Sequence, residues 1–242
     1  MKNRVVFLAI LSLVSLNAVY AQLSGVGFRP MATFSTYKLS KDLNDIHDSY
    51  LRLGGGGALF AEFNLGSRFT FQPEIVYVQR GANLKSESRL SWNGQHFGYP
   101  RDYQVKEIRR QETLHYLDIP LMFEKNFGGG GLGAYVAFGP AISIAVANGF
   151  GREEIDVVHL DLEGKQSAFT DRKEYTIEMG RGRYDDYRKG DLSVNLGAGI
   201  VLILDSGEIG LDVRYTHGLR NIDISGIKNR TLSVGLSYMY YF

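Results

Sequence analysis

The chain has 242 residues, with 27 basic side chains, 26 acidic ones and 5 His, and so is nearly neutral. Nothing in that balance points to a nucleic-acid partner. It contains no Cys, which excludes disulfide staples and anchoring through a lipidated cysteine.

The first segment reads as an address. Lys2 and Arg4 precede an apolar run, Val5 to Val14, and Val19-Tyr20-Ala21 stands ahead of Gln22. A basic start, an apolar stretch of this length and a small-residue cleavage site make a secretory signal peptide over residues 1–21. The alternative, an uncleaved anchor, needs about 20 apolar residues to cross a bilayer as a helix, more than this run supplies. One domain, residues 22–242, then remains. Without Lys2 and Arg4 it has 25 basic against 26 acidic groups, a net charge of −1.

From there on, apolar residues recur with a period of two, which sends them to one face of a strand. The first strand, 25–37, sets Val26, Phe28, Pro30, Ala32 and Phe34 against Arg29, Met31, Thr33 and Ser35. The second, 51–65, sets Leu53, Leu59, Ala61 and Phe63 against Arg52, Glu62 and Asn64. The third, 69–80, sets Phe69, Phe71, Ile75 and Tyr77 against Thr70, Gln72, Glu74 and Arg80. The fourth, 113–127, opposes Leu117, Ile119, Leu121 and Phe123 to Tyr116, Asp118, Met122 and Glu124. Similar rows over 132–146, 192–204 and 209–215 make the next three. The eighth, 230–242, carries Leu232, Val234, Leu236, Tyr238, Tyr240 and Phe242 on one face and Thr231, Ser233, Gly235 and Ser237 on the other. Lipid outside and a packed polar interior ask for this pattern, although a soluble strand with one wet face shows it too.

The connections separate the two readings. Residues 65–68, 126–131 and 205–207 are short turns, whereas 38–50, 81–112, 147–189 and 218–229 are long and polar. That alternation predicts an all-β fold: an eight-stranded antiparallel up-and-down transmembrane β-barrel with short periplasmic turns and long extracellular loops. Both termini then fall on the periplasmic side. A soluble lipocalin-like periplasmic barrel is the rival architecture.

Eight strands leave an interior that side chains can fill. The inward parity places Arg29, Arg52, Arg80 and Arg214 there with Glu62, Glu74, Asp118, Glu124 and Asp212. Buried charges need partners, so these residues are expected to form a structural network that plugs the lumen; a proton or ion path through them is the alternative. Gly54 to Gly57, Gly197 and Gly199 are expected to relieve crowding in the narrow barrel. Outward aromatic belts are expected at both interfaces, Phe63, Phe69, Phe123, Phe127, Tyr240 and Phe242 at the turn end and Tyr50, Tyr77 and Tyr215 at the loop end.

No catalytic, cofactor or metal site is legible. His115 and His217 face outward on non-neighbouring strands, away from a nucleophile. The acidic stretches 42–48 and 156–163 lack the spacing of a calcium loop and read as solvated. In the loops, Asn93-Gly94 reads as a hairpin turn. Trp92 beside it and Arg181, Arg183, Tyr184 and Tyr187 are candidate contacts for a protein partner or for lipid headgroups. Alternation over 155–162 and 175–179 suggests that the fifth and sixth strands continue beyond the membrane as a ribbon.

The stretches Gly57-Ala-Leu-Phe-Ala-Glu-Phe63, Phe69 to Gly81, Tyr116-Leu-Asp-Ile-Pro-Leu121, Gly197-Ala-Gly199 and Asp212 to Leu219, in this order and with the last strand, resemble an outer-membrane beta-barrel domain family of Gram-negative bacteria, labelled porin family or PorT-like. The resemblance spans essentially all of 22–242. It implies an outer-membrane location, partners among outer-membrane lipid and lipopolysaccharide, and recognition of the aromatic strand Tyr238, Tyr240, Phe242 by the barrel-assembly machinery. The reading that follows is a structural or binding module with a plugged lumen, its loops touching a partner or lipopolysaccharide. An accessory barrel of a secretion system, suggested by the resemblance, and a narrow channel are alternatives; a lipid-modifying enzyme fits less well.

Overall fold

The computed structural model describes residues 22–44, 47–100, 102–160, 166–180 and 187–242. In chain order the elements are β1 (Gln22–Lys38), α1 (Lys41–Asn44), β2 (Asp48–Tyr50), β3 (Arg52–Asn64), β4 (Phe69–Asn93), β5 (Tyr103–Gly129) and β6 (Leu132–Ala145). They continue with β7 (Gly149–Leu160), β8 (Gln166–Ile177), β9 (Met179–Gly180), β10 (Tyr187–Arg188), β11 (Gly190–Leu204), β12 (Gly207–Gly218) and β13 (Lys228–Tyr241).

A sheet in lipid must satisfy every backbone N–H and C=O internally, and closure alone achieves that. Here β1, β3, β4, β5, β6, β11, β12 and β13 pair antiparallel in turn, and β1 pairs with β13 to close a ring of eight. The side chains are sorted inside out. Leu59, Ile75 and Leu236 are 66%, 57% and 60% exposed on the outer wall, whereas Arg29, Glu74 and Asp212 are each 2% exposed inside. The expected eight rows and their parity are therefore the barrel's wall. At the turn end the connections are 65–68, 130–131 and 205–206, the second shorter than expected because Asn126 to Gly129 continue β5. Gly130 and Gly131 form that turn with φ of 73° and 103°, a left-handed conformation that favours glycine.

The loop end departs from expectation. Residues 81–112 are mostly strand: β4 and β5 stay in register from Gly81↔Thr113 to Glu87↔Glu107 and pair again at Trp92↔Val105. With 25 and 27 residues these strands are about 80 and 90 Å long, far more than the ~30 Å of hydrocarbon. Asn93-Gly94 is not a two-residue hairpin turn; Asn93 ends β4 and Gly94–Phe97 forms a 3-10 turn. The expected ribbon belongs to neither β6 nor β11. The chain leaves β6 at Ala145 and returns as a separate hairpin, β7 with β8, that pairs sideways on the outer half of β5 through Ile108↔Ile155. The result is a four-stranded extracellular sheet, β4-β5-β7-β8. Val105, Ile108, Ile155 and Val157 form its small core, packed against Phe97, Tyr99 and Tyr103.

The glycines divide into two kinds. At Gly199 a Cβ would sit 2.5 Å from the Tyr135 ring, so the missing side chain makes room for an aromatic in the lumen. Gly55 and Gly57 instead face outward, with nothing within 4 Å of a Cβ at the first and only a backbone oxygen at 3.9 Å at the second, so crowding does not explain them.

Candidate functional site

Three layers fill the lumen. Nearest the turns, Met122 and Ala137 pack with Tyr135. Above them β4, β12 and β1 converge on Glu74. Its carboxylate accepts from Arg29 Nη2 at 2.7 Å, from Arg214 Nη1 and Nη2 at 2.7 and 3.0 Å, and from Gln72 Nε2 at 2.6 Å. Asp212 lies 3.4 Å from Arg29 and 3.8 Å from Arg214 and accepts the Tyr135 hydroxyl at 2.5 Å. Two cations thus face two anions, and the Arg214 fork on Glu74 is the bidentate geometry that makes such pairs strong. One step toward the loops, Arg80 pairs with Asp118, stands 4.0 Å from Asp191 and donates to Ser143 Oγ at 3.3 Å. Asn229 Nδ2 donates to the same Asp191 oxygen, Oδ2, at 3.0 Å. The cavity between the two clusters, bounded by Arg29, Arg80, Asp118, Asn195, Asp212 and Arg214 among others, has a volume of about 20 Å³. That is room for about one water molecule.

The third layer is an apolar lid. Ile222 and Ile227 of the 219–227 connection, Met179 of β9 and Tyr187 of β10 pack on Leu114, Tyr116 and Tyr37 at the outer mouth. Above it, outside the membrane, a pocket of about 410 Å³ is lined by Arg110, Glu112, Glu153, Tyr175, Tyr187 and Asp223, with Ile177. Glu112 accepts the Tyr187 hydroxyl at 2.6 Å, and Arg110 is tied up by Glu153 at 2.5 Å. Burial raises the Glu112 pKa above its usual value, while the tyrosine hydroxyls and Arg110 pull against the rise.

Six of the nine expected lumen charges therefore meet in two clusters: Arg29, Glu74, Asp212 and Arg214 in one, Arg80 and Asp118 in the other. The remaining three face inward but apart. Glu62 sits near the turns, accepting from Ser24 Oγ at 3.2 Å. Glu124 is buried with Oε1 lacking a hydrogen-bond partner, as do Nε and Nη1 of Arg52. Asp191 and Glu112 escaped the sequence reading. Asp191 stands one residue before the expected start of its strand and Glu112 within an expected loop, yet both continue the inward parity of β11 and β5.

Among the expected loop contacts, Arg181, Arg183 and Tyr184 lie outside the described residues, as does the Trp92 side chain. Tyr187 is no surface contact: it is 7% exposed, packed into the lid itself. The belts have geometry. Phe71 bridges Phe63 and Phe123 at 6.4 and 5.1 Å, and Lys125 Nζ lies 5.8 and 5.5 Å from the Phe69 and Phe127 rings. Tyr238 meets Phe28 at 6.1 Å, and Tyr240 meets Phe242 at 5.9 Å. At the loop end, Tyr77 and Tyr215 hydrogen-bond His115 and His217 at 2.7 and 3.2 Å.

A closed eight-stranded ring with an apolar wall agrees with the match of residues 20–223 to the outer membrane protein beta-barrel domain. The chain belongs to that family. It is an outer-membrane β-barrel protein. Among solved structures it is similar to Ail, the attachment invasion locus protein of Yersinia pestis, at 12% identity over 90% of this chain and 100% of that one, with a TM-score of 0.39. It is similar too to Neisserial surface protein A, at 12% identity over 91% and 99%, with a TM-score of 0.41. No curated protein matches the sequence.

Proposed function

We propose that this barrel is a binding module rather than a channel or an enzyme, with a structural lumen and contacts made outside it to a protein partner or to lipopolysaccharide. The observation that supports this most is the filling of the lumen: the cavity between the two charge clusters has a volume of about 20 Å³. What is built instead is the extracellular sheet. Among the described residues β8 pairs with β7 on one side only, and Gln166 to Thr170 are all exposed along it. An open strand edge is a template for adding a partner's strand. Against catalysis, His115 and His217 each engage a tyrosine hydroxyl, and β6 and β11 separate their strands. In the same reading residues 1–21, outside the described structure, are removed as a signal peptide. The row Tyr238, Tyr240, Phe242 is what the assembly machinery reads.

The test replaces residues 149–177 by a short turn and compares what co-purifies with each barrel from its native membrane. A protein that accompanies the wild type and is lost with the hairpin, while the barrel stays folded, is the expected result. An unchanged set of companions refutes the role of the sheet.

A further inference from the structure

Charge on the extracellular sheet is mixed and paired. Arg109 stands within 3.5 Å of Glu107, Glu154 and Asp156, Arg152 meets Glu174 at 3.0 Å, and Arg172 meets Glu154 at 3.1 Å. Three neighbouring wall strands on another part of the rim show the opposite. Across β1, β13 and β12 the register aligns Phe34, Leu232 and Tyr215 in one outward row. The next outward row, about 7 Å nearer the loops at two residues' rise, is Thr36, Arg230 and His217. The row beyond it places Lys38 directly opposite Lys228.

Four basic side chains thus cluster one and two rows above the apolar band, where lipid headgroups begin. Among the described residues, none of the four makes an ion pair, and Arg230 Nε is buried without a hydrogen-bond partner. Among the described acid side chains of the adjoining segments, Asp223 is buried and accepts the Ile227 N–H at 2.6 Å, and Asp48 on β2 makes no ion pair. Like charges directly opposite each other on a sheet repel and destabilise it. A fold that aligns Lys38 with Lys228 and backs them with Arg230 leaves that repulsion without a counter-ion among the described residues, for an anion from outside the chain to offset. For an outward-facing row just above the apolar band, the headgroup phosphates of the lipid leaflet are anions within reach.

We infer that Lys38, Lys228, Arg230 and His217 form a binding site on the barrel wall for the phosphates of outer-leaflet lipopolysaccharide. This deepens the lipopolysaccharide contact proposed above, moving it from the loops to β1, β12 and β13, and it rests on that reading. The Tyr215 hydroxyl beside His217 Nδ1 fixes the imidazole at the edge of the apolar band. The acyl chains of a lipid held there lie along Phe34, Leu232 and Tyr215.

The test measures binding of purified bisphosphorylated lipid A to the full barrel in detergent by native mass spectrometry. Its arms are dephosphorylated lipid A, phosphatidylglycerol, the triple variant Lys38→Gln/Lys228→Gln/Arg230→Gln, and Arg109→Gln/Arg172→Gln on the extracellular sheet. Wild type should bind the phosphorylated lipid, and loss of three headgroup-level cations should weaken it by about a hundredfold. Dephosphorylation should have a similar effect. The triple variant should keep the wild-type shift between heated and unheated electrophoretic bands, which shows that it still folds. Equal binding by the triple variant, or equal binding of dephosphorylated lipid or phosphatidylglycerol to wild type, overturns the inference. Loss of binding in the Arg109/Arg172 variant alone also overturns it, while leaving a lipopolysaccharide-binding sheet standing.

Discussion

Arg80→Ala should be among the most damaging single changes in the lumen. Arg80 is 1% exposed and is the cation for two carboxylates, Asp118 and Asp191, whose side chains are 8% and 0% exposed. Its removal leaves Asp118 with only the neutral Ser143 beside it and Asp191 with Asn229 and the weaker pull of Arg220. Breaking a buried pair this way costs about 3–5 kcal/mol, roughly a hundredfold to several thousandfold in the folded fraction. Arg214→Ala should fall near the bottom of that range, because Glu74 keeps Arg29 at 2.7 Å and Gln72 at 2.6 Å, and Asp212 keeps Arg29 and Tyr135. Replacing the whole cluster, Arg80→Met with Asp118→Asn and Asp191→Asn, should recover most of the loss, since the charges then vanish together. Urea titration of the barrel in lipid vesicles, read by the gel shift between heated and unheated samples, measures all three. The reasoning is refuted if Arg80→Ala unfolds with wild type, or if the triple variant is less stable than Arg80→Ala.

Three further outcomes are expected. In planar bilayers the purified wild type should show no steady single-channel conductance; stable ion-selective steps would mean that the lumen clusters part to open a path. On the outer wall Leu236→Arg, near the middle of β13, should cost about 2–4 kcal/mol in vesicle-based unfolding, and a neutral result would argue against lipid contact at that row. The pocket above the lid should be pH-sensitive. Because burial raises the Glu112 pKa, the native state holds its proton more tightly than the unfolded chain, so this contribution is complete below the usual carboxylate pKa and is lost as pH rises through the raised one. Protection of the β7 and β8 amides, measured as exchange relative to the intrinsic rate at each pH, should therefore fall from acidic toward neutral pH, and Glu112→Gln should remove that fall; an unchanged protection profile in the variant would exclude Glu112 as its source.

The sequence by itself determined the barrel because lipid imposes a rule that each strand obeys alone. A strand between hydrocarbon and a packed interior must alternate, so Leu232, Val234 and Leu236 reveal their neighbours' inward direction without reference to any other strand. The same parity put Arg29, Glu74 and Arg214 inside. Only the tertiary structure decided who pairs with whom: Arg214 reaches Glu74 across 140 residues of sequence, and Arg52 and Glu124 share its parity yet join neither cluster. Beyond the membrane the rule lapses. The outer halves of β4 and β5 have water on the face that lipid would occupy, so their outward rows carry Arg109 and Gln111 and read as loop, although the ladder continues unbroken past Gly81↔Thr113. Which edge the β7–β8 hairpin takes, and that Tyr187 turns inward to form part of the lid, follow from contacts between distant segments. The basic row is of the same kind: Lys38 and Lys228 lie at opposite ends of the chain, and barrel closure makes them neighbours.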